Sequence, residues 1–194
     1  MSLPFTNCLK GLKASDFYAR MNEQIQGYRL DNMLVIRGRN YNINVLQYGS
    51  MITHDKVFGV PFYAQIRGRM DAVADTEQFI GWERQHGDGF ANGGISLIAR
   101  WAGGIPVYET NTYDDGGVGE SNVIAGADWS TVPVWFSVHR EAARIRFWVN
   151  AVLVATHANR IPTTTMPFFI ETAHIANPAV VGDVFSEIDL DSVI

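Results

Sequence analysis

From Gly27 onward, apolar and polar residues alternate with a period of two over short runs. Side chains on a strand project alternately to its two faces, so such a run predicts a strand with one buried and one open face. Tyr28 to Ile36 is the first run, and a Gly38–Arg39–Asn40 turn separates it from Tyr41, Ile43 and Val45, which alternate with Asn42, Asn44 and Leu46. Met51 to His54 is a short strand. In Pro61 to Met70, Phe62, Ala64, Ile66 and Gly68 oppose Tyr63, Gln65, Arg67 and Arg69, so the second face carries polar heads for solvent or a partner. Gln78 to Glu83 and Gly94 to Trp101 follow, joined by the Gly-rich loop from Gln85 to Gly93. Pro106 to Thr112 leads into a second loop, Tyr113 to Gly119, rich in Asp and Gly.

The sharpest local pattern is Val134 to Arg140, a turn at Glu141–Ala142–Ala143, then Arg144 to Trp148. Asn150–Ala151 next sits between apolar partners, and Asn tolerates the positive φ of a two-residue hairpin turn, with Val152 to Thr156 returning. Phe168 to Ile175 and Phe185 to Val193 complete the set. Only Lys13 to Gln26 offers a helix, with Ser15 or Asp16 as cap and Gly27 as stop. Many short strands with turns at these intervals predict an all-β, two-sheet antiparallel sandwich. It forms one domain over residues 1–194, with the segment 1–27 outside the strand pattern.

Composition narrows the classes. Hydrophobic residues make up 47% of the 194, enough for a large core, and charged residues only 18%, below the usual share of about a quarter. A net charge of −5 gives no footprint for nucleic acid. Cys8 is the single cysteine, which excludes an intrachain disulfide framework and a thiolate zinc site. No run approaches the roughly 18 continuous apolar residues of a membrane-spanning helix. Met1 to Cys8 shows no basic region followed by an apolar run, so cytoplasmic synthesis without a signal peptide is expected.

Three passages resemble the concanavalin A-like lectin/glucanase superfamily in the layout of family 16 glycoside hydrolases. The first is Tyr48–Gly49–Ser50–Met51–Ile52–Thr53, then Phe58–Gly59, then Phe62–Tyr63–Ala64–Gln65–Ile66–Arg67. The second is Val134 to Val138 followed by Ile145 to Thr156, with Ala151 where a Gly is common in the turn. The third is the closing run Ile188 to Ile194. The resemblance implies a jelly roll of two curved sheets, with sugars bound on the concave one. It also implies a Glu-x-Asp-x-x-Glu strand, whose carboxylates share one face and cut by a retaining mechanism at about 5–5.5 Å separation. That motif is missing: Glu187–Ile188–Asp189 comes nearest, but Ser192 takes the third position and the run lies on the last strand. Glu77, Glu83 and Glu109 are scattered through the middle strands.

Other chemistry is sparse. The five histidines, His54, His86, His139, His157 and His174, form no metal-binding spacing, although His139 and His157 lie on facing arms of a hairpin. Ser50, Ser96 and Ser137 lack a nucleophile elbow. Asp88 in one loop, and Asp114 and Asp115 in the other, are candidate oxygen ligands for Ca²⁺, against the alternative of side-chain caps within tight turns. Otherwise no cofactor or metal is expected. Among the aromatics, Trp82, Trp101, Tyr108 and Tyr113 flank the Gly-rich loops and are the candidate ligand contacts, against a core role. No catalytic residue is assigned.

The expected function is a non-enzymatic binding or structural module with a lectin-like fold. Low charge, the scarcity of lysine and the lack of a leader suit a virion protein, such as a phage capsid decoration or tail protein, that packs in an assembly or binds glycan. The expected partners are glycan or other protein subunits, including further copies of the chain. A stand-alone carbohydrate-binding domain is the second reading. A hydrolase or lyase with a relocated carboxylate pair is the third.

Overall fold

The computed structural model describes residues 17–21, 25–30, 33–39, 48–71, 76–83, 93–126, 129–174 and 185–193. Fourteen strands occur among them. They are β1 Phe17–Met21, β2 Ile25–Leu30, β3 Met33–Arg39, β4 Tyr48–Phe58, β5 Phe62–Asp71, β6 Thr76–Glu83 and β7 Gly94–Ala102. The rest are β8 Ile105–Tyr113, β9 Gly119–Val123, β10 Val134–Arg140, β11 Ile145–Val149, β12 Val152–His157, β13 Met166–His174 and β14 Phe185–Val193. They build two seven-stranded sheets: a first with order β1-β4-β13-β6-β7-β8-β9 and a second with order β12-β11-β10-β5-β14-β3-β2. Every pairing is antiparallel. The sequence-predicted antiparallel sandwich is the observed architecture.

The core is the layer between the sheets. Ile80 and Trp82 on β6, Ile95 and Leu97 on β7, and Phe168 and Ile170 on β13 face it from the first sheet. Ala64 and Ile66 on β5, Phe136 and Val138 on β10, and Phe147 on β11 meet them from the second. Trp82 has no exposed surface and packs on Phe62 at 4.9 Å and Phe168 at 5.5 Å between ring centroids. Polar groups also cross the layer. The Tyr108 hydroxyl on β8 donates to the Met70 carbonyl at 2.9 Å on β5 and accepts the Trp129 amide at 3.1 Å. The buried Arg140 guanidinium donates to the carbonyls of Pro162 at 2.6 Å and Thr164 at 2.9 Å, pinning the segment that leads into β13.

The differences from the sequence pattern have physical causes. Strands β1 and β2 occupy the stretch expected as a helix. Phe17, Ala19 and Met21 alternate with Tyr18 and Arg20 there, a period-two signal that pairing with β4 exploits. The run Tyr28 to Ile36 divides into the hairpin β2–β3, in which Leu30 pairs with Met33. The run from Tyr41 to Leu46 lies outside the described residues. Strand β9 had no apolar alternation to announce it, because it is an edge strand that buries no face: Gly119, Ser121, Asn122 and Val123 are all exposed. Strand β14, the last in the sequence, lies between β5 and β3 inside the second sheet.

The β11–β12 turn is as read from the sequence. Asn150 and Ala151 have φ of 47° and 66°, the left-handed values that a type I′ hairpin needs at both positions. Asn150 Oδ1 accepts the Trp135 amide at 3.0 Å and its own amide donates to the Trp135 carbonyl at 2.8 Å. Ala151 has no such compensation among the described residues, and its Cβ strains the left-handed backbone. Ala151→Gly therefore raises stability by about 0.5–1 kcal/mol after the extra chain entropy of glycine is subtracted. Thermal unfolding reads this as a gain in Tm of about 2 °C.

Candidate functional site

The alternation that turns Ile80, Trp82, Ile95 and Leu97 inward turns their neighbours outward. On the outer face of the first sheet β6 places Glu77, Phe79 and Gly81, β7 places Gly94, Ser96, Ile98 and Arg100, and β8 places Glu109, Asn111 and Tyr113. Strand β13 adds Phe169 and Glu171. Register sets these residues in rows across the strands. Glu171, Phe79, Ile98 and Glu109 form one row; Phe169, Gly81, Ser96 and Asn111 form the next; Glu77 and Arg100 pair on the far side of the first.

A small apolar group lies on this face, apart from the main core: Phe169 is buried, with Phe79 and Tyr113 packed on it. Between the aromatics the residues are small. A Cβ on Gly81 would fall 2.0 Å from the Ile95 carbonyl oxygen, so the backbones of β6 and β7 approach too closely for any side chain there.

The charged groups cluster. Arg100 Nη2 lies 2.5 Å from Glu109 Oε2. Burial pushes the Glu77 carboxyl above its usual range; Arg100 draws it down, and the charges of Glu109 and Glu171 add to the rise. Burial likewise raises the Tyr113 phenol, with Arg100 opposing and Glu109 and Glu77 adding. Beside them are two polar atoms, Ser96 Oγ and Asn111 Nδ2, on directly paired residues. Ser96 is 0% and Asn111 3% exposed, and neither atom has a hydrogen-bond partner among the described residues.

Of the four aromatics expected to contact a ligand, Tyr113 alone belongs to this face. Trp82 and Tyr108 are wholly buried between the sheets, and a ring without exposed surface cannot stack on a ligand, so both are core residues. Trp101 is exposed at the end of β7, where alternation places it on the opposite side of the sheet from Arg100. Glu77, Phe79, Arg100, Asn111, Phe169 and Glu171 were missed. A signal existed: Glu109 and Asn111 fall at alternate positions of the predicted strand Pro106 to Thr112, which puts both side chains on one face, and β8 continues one residue further to Tyr113.

The remaining candidates are resolved elsewhere. Glu187 and Asp189 are on β14 in the second sheet, paired with Asp71 and Arg69, and the register shifts between Leu190 and Ser192. They do not join the carboxylates of the first sheet. Asp114 and Asp115 are occupied by protein donors and are not free calcium ligands. Asp114 accepts the amides of Gly116 and Val118 and pairs with Arg160 at 3.0 Å, and the Val118 bond foremost holds its carboxyl below the ordinary range. Asp115 accepts the Thr163 amide and the Thr163 and Thr164 hydroxyls. Asp88 lies outside the described residues, and no group of three His, Cys, Asp or Glu side chains placed for a metal occurs among those described.

The sequence matches no protein-family model and no curated protein. Solved structures do align over nearly the whole chain. A laminarinase from Flavobacterium sp. has a TM-score of 0.70 at 15% identity, covering 97% of this chain and 95% of its own. The β-glucanase of Bacillus licheniformis gives 0.67 at 12%, over 97% and 94%. A β-1,3-glucanase from Mycobacterium marinum gives 0.67 at 14%, over 99% and 92%. The fold is the concanavalin A-like jelly roll. Within this jelly roll the chemistry of the outer face rests on its own residues, because identity this low transfers architecture alone.

The two histidines of the hairpin region do not meet. His139 bonds Arg146 at 3.0 Å on the outer side of the second sheet, beside Tyr63. His157 has no exposed surface, and its ring nitrogens bond Thr110 at 3.2 Å and Thr112 at 2.8 Å on β8, tying the two sheets of the jelly roll together. Burial pushes its pKa below the usual imidazole value, against the pull of Glu120. The folded state thus holds this ring neutral while the unfolded chain takes up a proton near pH ~6.5. Stability is full above that pH and falls as pH drops through the window between the unfolded and the depressed folded values. Urea midpoints measured from about pH 8 to about pH 5 should decline, and His157→Gln should flatten the slope.

Proposed function

We propose that the outer face of the first sheet binds glycan without cleaving it. The carrying observation is the Arg100–Glu109 ion pair with Glu77 beside it on this outward face, next to the half-buried rings of Phe79 and Tyr113. Charged hydrogen-bonding groups beside ring surface suit the hydroxyls and apolar faces of a sugar. Mostly apolar walls with a few placed polar groups suit small-molecule recognition. The similar structures supply a consistent background, since they are described as glucanases and laminarinases. Binding without cleavage is favoured because no Glu-x-Asp-x-x-Glu run exists in the chain and β7, beside the middle strand β6, presents Gly94, Ser96 and Ile98 there.

Packing among copies, in a virion or elsewhere, draws support from two of the edge strands, which expose Val123 on β9 and Val152 and Leu153 on β12. Apolar edges of this kind favour association.

A second reading has one specific observation behind it. Burial raises the Glu77 carboxyl, Glu109 lies nearby in an ion pair with Arg100, and glycoside hydrolysis divides its work between a protonated acid and an ionised carboxylate.

Isothermal titration with β-glucan oligosaccharides tests the first reading. Wild-type protein should bind, and Arg100→Ala should weaken binding on the order of tenfold, the loss of one hydrogen bond from a charged group. No heat with β-glucans and no hit on a broad glycan array would overturn it. A reducing-end assay on the same substrates decides between the readings. The binding reading expects no turnover, whereas turnover that disappears in Glu77→Gln would establish the hydrolase.

A further inference from the structure

We propose that two copies of the chain pair along β9, antiparallel about a two-fold axis at Ser121, so that the first sheet of one copy continues into that of the other. This deepens the packing reading and rests on it. In an antiparallel pair, opposed residues alternate between those that exchange N–H···O bonds and those whose N–H and C=O groups point away from each other. At one end of the β8–β9 ladder the Asp114 amide donates to the Val118 carbonyl at 3.0 Å, and at the other the Ile124 amide donates to the Tyr108 carbonyl at 2.8 Å. Between them the register runs Tyr113–Gly119, Thr112–Glu120, Asn111–Ser121, Thr110–Asn122 and Glu109–Val123. Alternation from either end gives the same result. Glu120 and Asn122 bond to β8, while Gly119, Ser121 and Val123 turn their N–H and C=O groups to the open edge. All of these last three are exposed, and no backbone hydrogen bond reaches this edge among the described residues.

Proteins commonly block such an edge with charge, proline or a bulge. The β12 edge has a register shift opposite Phe147 and Trp148. Strand β9 has an unbroken register and no proline, and its one charged residue, Glu120, is tied to the Asn159 amide at 2.9 Å. Its sequence also complements itself. The two-fold axis sets Gly119 opposite Val123, Glu120 opposite Asn122 and Ser121 opposite its own copy, so no like charges meet. The Asn122 side chain offers a donor to the Glu120 carboxylate of the second copy. The Tyr113 ring lies over Gly119, where a Cβ would fall 2.7 Å from it. Val123 of the second copy, 63% exposed in the free chain, lies in the same cross-strand row as that ring and covers its edge. An unrelated chain would have to reproduce each of these matches, whereas β9 supplies them to itself. Five paired residues make an interface at the small, transient end of the range, with a Kd on the order of 100 µM.

Sedimentation velocity of the full chain from about 10 µM to about 1 mM reads the dimer. The wild type should move from monomer toward twice its mass. Ser121→Pro removes one edge N–H and leaves the β8–β9 bonds in place, because the Ser121 amide faces away from β8. Ser121→Lys sets two like charges across the axis. Each should weaken dimerisation on the order of tenfold or more while Tm stays within about 2 °C. Added salt should partly restore the lysine variant and not the proline variant. A cross-link reads the same contact without disturbing it. Ser121→Cys in a Cys8→Ser background should form a disulfide-linked dimer under mild oxidation, since bonded antiparallel partners have Cα atoms about 5.5 Å apart, within a disulfide's reach. A wild type that stays monomeric up to about 1 mM would overturn both this inference and the packing reading. Association that survives Ser121→Pro and yields no cross-link at Ser121→Cys leaves the packing reading standing and overturns pairing through β9.

Discussion

Trp82, fully buried and wedged between Phe62 and Phe168, anchors the apolar layer that joins the two sheets. Burying such a side chain contributes roughly 2–3 kcal/mol, and the layer repeats the gain along every strand that crosses it. Its consequence for the rest of the molecule is geometric. A strand cannot turn one residue without turning its neighbours, so fixing Ile80 and Trp82 inward fixes Glu77, Phe79 and Gly81 outward. The outer face of the first sheet is thereby decided by packing on the other side of the same strands. A one-residue slip of β6 would bring Glu77 and Glu83 toward the core and expose Trp82, an exchange no other contact in the molecule could offset.

The polar groups that cross the interior obey the companion constraint. The Tyr108 hydroxyl, the His157 ring and the Arg140 guanidinium are all buried, and each has hydrogen-bond partners on the opposing sheet or on the segment it pins. Arg140 holds the approach to β13 through the carbonyls of Pro162 and Thr164, and burial lowers its pKa while the charge of Asp115 opposes this. These bonds set which loops are held: the stretch around Pro162 is tied from both sides, by Arg140 beneath and by Asp115 through Thr163 and Thr164. Asp114 and Asp115, which the sequence offered as cation ligands, are spent on this loop structure.

What the sequence disclosed follows from where burial is one-sided. Strands β5, β10 and β11 bury one face, so their alternation was plain, and the Asn150–Ala151 turn could be named from residue type. Strand β9 buries neither face and left no pattern. Strand β1 was short enough for its five residues to fit a helical reading as well as a strand. The candidate site was harder, because its residues come from β6, β7, β8 and β13, and register between strands distant in sequence is not written in any one of them. Trp82 and Tyr108 were drawn toward the site by their nearness in sequence to loops, yet each sits at an inward position of its strand. Parity along the strand, not distance from a loop, separates them from Tyr113.

The outer face also shows why a shared fold and a shared chemistry part company. The jelly roll fixes that some strand must run through the middle of the first sheet; it does not fix what that strand displays. Here the middle strand β6 displays Glu77, Phe79, Gly81 and Glu83, and β7 beside it displays Gly94, Ser96, Ile98 and Arg100, with Glu109 and Glu171 on β8 and β13. Backbone geometry reinforces the arrangement, since the approach of β6 to β7 at Gly81 leaves no room for a Cβ and keeps that part of the face low. Phe169 beside Gly81 packs with Phe79 and Tyr113, and Ser96 and Asn111 extend the same row. Arg100 is engaged by Glu109, and register sets Arg20 of β1 in the row of Glu171, so the charges this face carries are a property of these residues and not of the fold that carries them.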